Sequence, residues 1–248
     1  TWAGQAEPFM TYLSRCSFML QQGKFVADIA YLLDEGAPST MPIWGEGLKP
    51  APPKGYDFDY INADALINRT SVDANGRIIL PDGMSYAVLI LPETKKMTLA
   101  VLRKIHGLVR EGATVIGPRH ESTPGLSAYP ESEKTLKILS GELWGDLDGV
   151  SRTKRNFGKG KTFWGTSPET VLKLNNIDPD IRYSGIPDAD INWIHRKTDD
   201  ADIYMIVNSS DNPVKTEIRF RQNRKTAEIW DPATGRMSPV NFETSGNF

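Results

Sequence analysis

The chain has 248 residues, and 29 Lys and Arg stand against 31 Asp and Glu, for a formal net charge of -2. That balance excludes the dense cationic surface a nucleic-acid-binding protein needs. With 39% hydrophobic and 24% charged residues the composition is that of a folded globular protein, which excludes intrinsic disorder and leaves room for one large domain or two small ones.

The only cysteine is Cys16, so no internal disulfide can form, and a chain of this size needs none. No apolar run reaches the roughly 20 residues of a membrane span. The opening Thr1, an early helix and the lack of a signal peptide lead us to expect a piece of a longer chain.

Phe9, Tyr12, Leu13, Cys16, Met19 and Leu20 recur at spacings of three and four, which predicts an amphipathic helix that Pro8 helps to start and Gly23 to stop. Phe25–Leu33 is a nearly continuous apolar run, as in a parallel strand covered on both faces. Residues 36–55, with five prolines at 38, 42, 50, 52 and 53, read as a long loop. Residues 60–68 read as a short helix and 86–91 as a second buried strand. Thr98 is a candidate cap for a helix whose apolar face is Val101, Leu102, Ile105, Leu108 and Val109, closed by Gly112. Residues 113–117 are a third strand. A helix over 131–143, a strand over 161–165 and a short helix opened by Ser167-Pro168-Glu169 follow.

Strands alternating with helices predict an α/β fold, an open and mostly parallel sheet flanked by helices. After residue 180 the pattern changes. Residues 203–207, 216–221 and 227–230 look like short strands with no helix between them, so a small β-rich segment should close the chain.

For chemistry the most distinctive stretch is Tyr56-Asp57-Phe58-Asp59-Tyr60, followed by Asn62. In extended backbone Asp57 and Asp59 share one face about 7 Å apart and the aromatics take the other. Carboxylates bond sugar hydroxyls and aromatic faces pack on sugar C–H groups, so Tyr56, Asp57, Asp59 and Asn62 are candidate substrate-binding residues. We expect them on a loop at the carboxyl edge of the sheet, where open α/β folds bind ligands. The plainer reading is a loop whose Asp side chains cap turns and the next helix. Asp28, set in an apolar strand, must be paired, and a structural role fits it. Glu93 lies just past a strand end, as a solvated loop residue or a ligand contact.

Cys16 sits on an apolar helix face between Arg15 and Ser17, and a small buried hydrophobe is the expected role. His106, His120 and His195 show no metal-ligand spacing. Gly158-Lys-Gly-Lys161 has the composition of a phosphate loop but reads as a turn into the next strand. No catalytic or metal-binding residue is assigned.

Five segments are familiar together: Tyr12–Asp28, Gly55–Asp64, Leu80–Tyr86, Trp193–Tyr204 and Glu228–Gly235. They resemble glycoside hydrolase family 106, the α-L-rhamnosidases, from residue 5 to about residue 236. The resemblance implies that the catalytic glutamates and the calcium site belong to a (β/α)₈ barrel upstream of these residues, so no catalytic residue and no cofactor is carried over. It implies a non-catalytic auxiliary region in three parts: residues 1–23 as the last helix of the barrel, 24–179 as a class I glutamine-amidotransferase-like or flavodoxin-like domain, and 180–248 as the start of a β-sandwich. It further implies a rhamnose-containing oligosaccharide or polysaccharide as partner and a periplasmic or extracellular location. The alternatives left open are a stand-alone α/β hydrolase and a carbohydrate-binding or oligomerisation module.

Overall fold

The computed structural model describes residues 2–37, 41–42, 47–184, 191–222 and 226–244. These divide into two compact units, one of residues 1–26 with 179–248 and the other Ala27–Asp178. The N-terminal helix thus groups with the C-terminal strands.

The Ala27–Asp178 unit is built on a six-stranded sheet of Ile29–Leu32, Phe58–Ile61, Val88–Ile90, Thr114–Ile116, Lys154–Phe157 and Gly160–Phe163. The spatial order is 58–61, 29–32, 88–90, 114–116, 160–163, 154–157. The first five strands in that order are parallel, and 154–157 pairs antiparallel with 160–163 at the edge. Numbered along the chain, the parallel strands run 2-1-3-4-5, and the order reverses between 29–32 and 88–90. All residues of 29–32, 88–90 and 114–116 are buried, which is why they read as unbroken apolar runs rather than alternating ones.

Helices Ala63–Arg69, Leu99–Glu111, Glu131–Trp144 and Pro168–Leu174 complete the unit. Thr98 Oγ1 accepts a hydrogen bond from the Val101 amide, and the five predicted face residues of helix 99–111 are its buried set. Gly112 ends that helix at φ 140°, a conformation costly for any residue with a Cβ. Ser167 caps the 168–174 helix in the same way as Thr98.

Several expectations change in detail. The Phe25–Leu33 run is not one strand. Lys24–Phe25 pairs antiparallel with Arg196–Lys197, and the sheet strand starts only at Ile29. The 86–91 strand is likewise split, with Ser85–Tyr86 joining Ser71–Val72 and Ile78–Ile79 in a small antiparallel sheet. Residues 60–61 are strand, not helix, because Phe58–Ile61 completes the sheet beside 29–32 and Asn62 caps the helix that begins at Ala63. Gly158-Lys159 turns the 154–157 and 160–163 hairpin. Of the predicted 36–55 loop, residues 38–40 and 43–46, Pro38 included, lie outside the described residues.

The other unit carries a 3-10 turn, Trp2–Gln5, and helix Glu7–Leu20. Ile191–Lys197 is flanked by Lys24–Phe25 and Asp202–Asn208 in a three-stranded antiparallel sheet. Two further antiparallel pairs, Ile181–Ser184 with Glu217–Phe220 and Ala227–Trp230 with Met237–Val240, make the segment β-rich as expected. Gly23 makes the turn from helix to strand at φ 56°, where a Cβ would collide with the Lys197 carbonyl oxygen.

Candidate functional site

The aromatic half of the 56–60 segment packs inward. Tyr56 is buried and its hydroxyl donates to the Ile177 carbonyl oxygen at 2.8 Å. Phe58 and Tyr60 lie against the hydrophobic core, with each other and with Tyr31 at centroid distances of 5.6–6.3 Å. The Tyr31 and Tyr60 hydroxyls donate to the carbonyl oxygens of Pro50 and Pro42 at 2.8 Å each. The aromatics therefore hold the proline-rich connection onto the sheet. Burial pushes the Tyr31 hydroxyl far above its ordinary pKa, with the neighbouring Tyr60 adding to the effect.

The carboxylates are also engaged. Asp59 accepts from the Tyr86 hydroxyl at 2.8 Å and from the Tyr60 amide at 2.7 Å. Burial first, and then that bond to Asp59, drive the Tyr86 hydroxyl well above its usual range. Asp57 accepts from the Phe58 amide at 2.8 Å, and Asn62 accepts from the Ala65 amide at 2.8 Å.

Their position differs from the expectation. Asp57 precedes its strand, and its carbonyl oxygen accepts from the Asp28 amide at 3.3 Å. Tyr56 and Asp57 thus lie at the amino edge of the sheet, Asp59 within a strand and only Asn62 at the carboxyl end. The expectation of a carboxyl-edge loop fails because the backbone is extended from residue 58 and pairs in register with 29–32.

Beside Asp57, Asp28 has a buried side chain and takes both terminal Arg77 nitrogens on Oδ1 at 3.2 Å. Arg77 also donates to Ser85 Oγ at 3.1 Å and to the Ser85 carbonyl oxygen at 3.0 Å. This cluster binds the first strand to the small three-stranded sheet. Arg77 carried no local sign of its role, since its partner is 49 residues away.

At the carboxyl edge, Glu35 follows the 29–32 strand and accepts from the Thr98 amide at 2.9 Å and the Thr98 hydroxyl at 2.8 Å. A carboxylate there complements the helix N-terminus. Glu93 is exposed just past the 88–90 strand. His120 is fully buried against Trp144 at 5.6 Å between centroids, and neither ring nitrogen has a hydrogen-bond partner among the described residues. Burial lowers its pKa to about 4, against a smaller upward pull from Asp34.

In the other unit His195 is buried between two carboxylates. Nδ1 lies 2.6 Å from Asp180 Oδ2 and Nε2 2.9 Å from Asp202 Oδ1. Each ring nitrogen thus faces a carboxylate oxygen. Asp180 also accepts from the Tyr204 hydroxyl at 2.9 Å and meets Arg221 at 3.7 Å. With both ring nitrogens engaged by carboxylates, the ring is a structural hub. Cys16 is half-buried rather than buried, because no residue of its helix is fully covered. Among the described residues no three His, Cys, Asp or Glu side chains gather to hold a metal ion, and none of the helices there is long and apolar enough to cross a membrane.

The architecture is thus that of a mixed α/β protein, with a six-stranded, mostly parallel sheet, helices and small antiparallel sheets. The family model described as Glyco_hydro_106, alpha-L-rhamnosidase, matches residues 1–244, and the chain belongs to this glycoside hydrolase family. It is 37% identical over 237 residues to a protein of Formosa agariphila named "Putative beta-glucuronidase", covering 96% of this chain and 19% of that one. A solved rhamnosidase structure from Novosphingobium sp. PP1Y superposes with a TM-score of 0.87 at 30% identity, covering 100% of this chain and 23% of that one. The chain therefore spans about a fifth to a quarter of the length of these relatives.

Proposed function

We propose that this chain is a non-catalytic, auxiliary region of a larger glycosidase acting on a rhamnose-containing oligosaccharide or polysaccharide, working outside the cytoplasm. The observation that carries the reading is the use of its buried carboxylates. Asp28 is taken by Arg77, and Asp180 by His195, Tyr204 and Arg221. Asp59, within the sheet, is taken by Tyr86. Glycoside hydrolysis needs an acid and a second carboxylate that flank one bond and remain available to it. The family match and the rhamnosidase likeness support a rhamnoside over a glucuronide.

The 2-1-3-4-5 order of the parallel strands supports a flavodoxin-like domain of the glutamine-amidotransferase kind. Cys16 lies on a helix, not on the strand-to-helix elbow that amidotransferase chemistry uses. In this reading Tyr56, Asp57, Asp59 and Asn62 are framework, and direct sugar contact is the rival role. Catalytic groups and any calcium belong to the part of the enzyme outside this chain.

The test is an assay of the purified 248-residue protein beside the full-length product of its gene. The chain alone should release nothing from an aryl α-L-rhamnoside or an aryl β-glucuronide, and the full-length product should cleave the rhamnoside. Turnover by the chain alone would overturn the auxiliary role.

A further inference from the structure

Asn75 is the one asparagine of the chain that precedes a glycine, and every other precedes a residue with a side chain. A glycine leaves its own amide nitrogen open to close approach, because no Cβ shields it. Asn-Gly is also a hairpin-turn pair, and here it lies in the turn that joins Ser71–Val72 to Ile78–Ile79. Asp73 draws that turn tight. Its Oδ1 accepts from the Asn75 and Arg77 amides at 2.9 and 2.8 Å, and its carbonyl oxygen accepts from the Gly76 amide at 3.1 Å. Gly76 stands at φ 80°, and a Cβ there would fall 2.7 Å from the Gly112 carbonyl oxygen, so the turn has no room to swell on that side. Asn75 itself is exposed, and no hydrogen bond among the described residues engages its side-chain amide. Arg77 comes two residues later, with its guanidinium on the buried Asp28 carboxylate and on Ser85.

We propose that Asn75 is a self-modification site, where the chain deamidates to isoaspartate and thereby loosens the hold of Arg77 on Asp28. The Gly76 nitrogen, its proton taken by base, attacks Asn75 Cγ. The new N–Cγ bond closes a succinimide ring, the Cγ–Nδ2 bond breaks, and Nδ2 leaves as ammonia with a proton from solvent. Water then opens the ring at either carbonyl. Opening at Cγ leaves aspartate. Opening at the main-chain carbonyl of residue 75 leaves isoaspartate, with one more carbon in the backbone. Water and base are the only co-reactants, and nothing is oxidised or reduced. The longer backbone cannot keep both amide bonds to Asp73 Oδ1, which now fix Arg77 relative to Asp73. Arg77 must shift, and its grip on the buried Asp28 carboxylate is lost with it. The inference is independent of the glycosidase reading.

Ageing the purified native chain at mildly alkaline pH, followed by tryptic mass mapping, tests it. The peptide of residues 70–77 should gain the mass of an oxygen less that of an NH group, before any other asparagine-bearing peptide does. The isolated aged peptide should also accept a methyl group from an isoaspartyl methyltransferase. Asn75→Gln, whose longer side chain disfavours the ring, should show neither change. In urea denaturation the modified parent should have a folding equilibrium constant lower by about tenfold or more than the fresh protein, since a buried carboxylate parted from its cation is strongly destabilising. Asn75→Asp carries the product's charge on an ordinary backbone, and should stay within about twofold of the fresh parent, as exposed substitutions do. A 70–77 peptide that keeps its mass while other asparagines react overturns the proposal. So does a modified parent as stable as the fresh one, which would cut the tie to Arg77. An equal loss in Asn75→Asp would assign the effect to charge, and an equal loss in aged Asn75→Gln would place the damage elsewhere; each overturns the proposal too.

Discussion

His120 shows what a buried residue costs when its partners are absent. Its ring is sealed from solvent and its nitrogens find no hydrogen-bond partner among the described residues. Neutral imidazole tolerates that far better than imidazolium does. The folded pKa is lowered to about 4 from an ordinary 6.5. Between those values the unfolded chain binds a proton that the folded one does not, so stability rises with pH in that window. It is fully present above 6.5, is lost as pH falls toward 4, and changes no further below. Over the window the loss is about 3 kcal/mol at 1.36 kcal/mol per pKa unit. Urea denaturation at pH 7 and pH 4 should show that loss in the parent and not in His120→Phe, which keeps the contact with Trp144. Equal losses in both proteins would place the pH dependence elsewhere. Asp59 allows a second test at this scale. Asp59→Asn keeps an acceptor for Tyr86 but gives up its charge, and should cost about 1 kcal/mol. Kinetics of the full-length enzyme should be unchanged per folded molecule. A fall in turnover of about tenfold or more, the worth of a lost charged hydrogen bond, would instead make Asp59 a sugar contact.

Elements were legible where their own side chains specify them. Thr98 and Ser167 cap the helices they were expected to cap, and the buried face of helix 99–111 is the apolar stripe read from its spacing. The parallel strands were legible because burial on both faces requires unbroken apolar residues. Phe58–Ile61 was not, since an edge strand of four residues is too short for a period to show and runs straight into a capped helix. The strands at 71–72, 78–79 and 85–86 have two residues each, too few for any period to show. The candidate site was legible as a composition of acids and aromatics. Its partners, Tyr86, Ile177 and Pro42, were not, since each is 18 residues or more distant in the chain. The Asp28–Arg77 pair belongs at this scale because it ties the first strand to the small sheet. Arg77→Met would leave a buried carboxylate without its cation, at a cost of about 3 kcal/mol. Adding Asp28→Asn should recover part of that. Chemical denaturation of the two variants checks it, and a double variant no more stable than the single one would argue against charge as the cause.

At the scale of the whole molecule the two units differ in how their cores are assembled. The Ala27–Asp178 unit is one continuous stretch and holds the six-stranded sheet and the cluster around Ile29, Val88, Ile90, Phe163 and Leu172. Every member of that cluster, and the Tyr56 to Ile177 hydrogen bond that closes its two ends, lies within residues 27–178. The other unit is assembled from two stretches more than 150 residues apart in the chain, joined by the pairing of Lys24–Phe25 with Arg196–Lys197 and by the bonds from Arg196 to the Gln22 and Gly23 carbonyl oxygens. Its sheets have two or three strands each, near the lower limit for independent stability. The expected consequence is an asymmetry. A protein of residues 27–178 alone should fold, with native-like far-ultraviolet circular dichroism and one cooperative unfolding transition. Residues 1–26 and 179–248 mixed in trans should stay largely unfolded, because the closure that links them in the intact chain becomes a bimolecular step. A 27–178 protein that melts without a cooperative transition would show that its core depends on contacts outside that stretch.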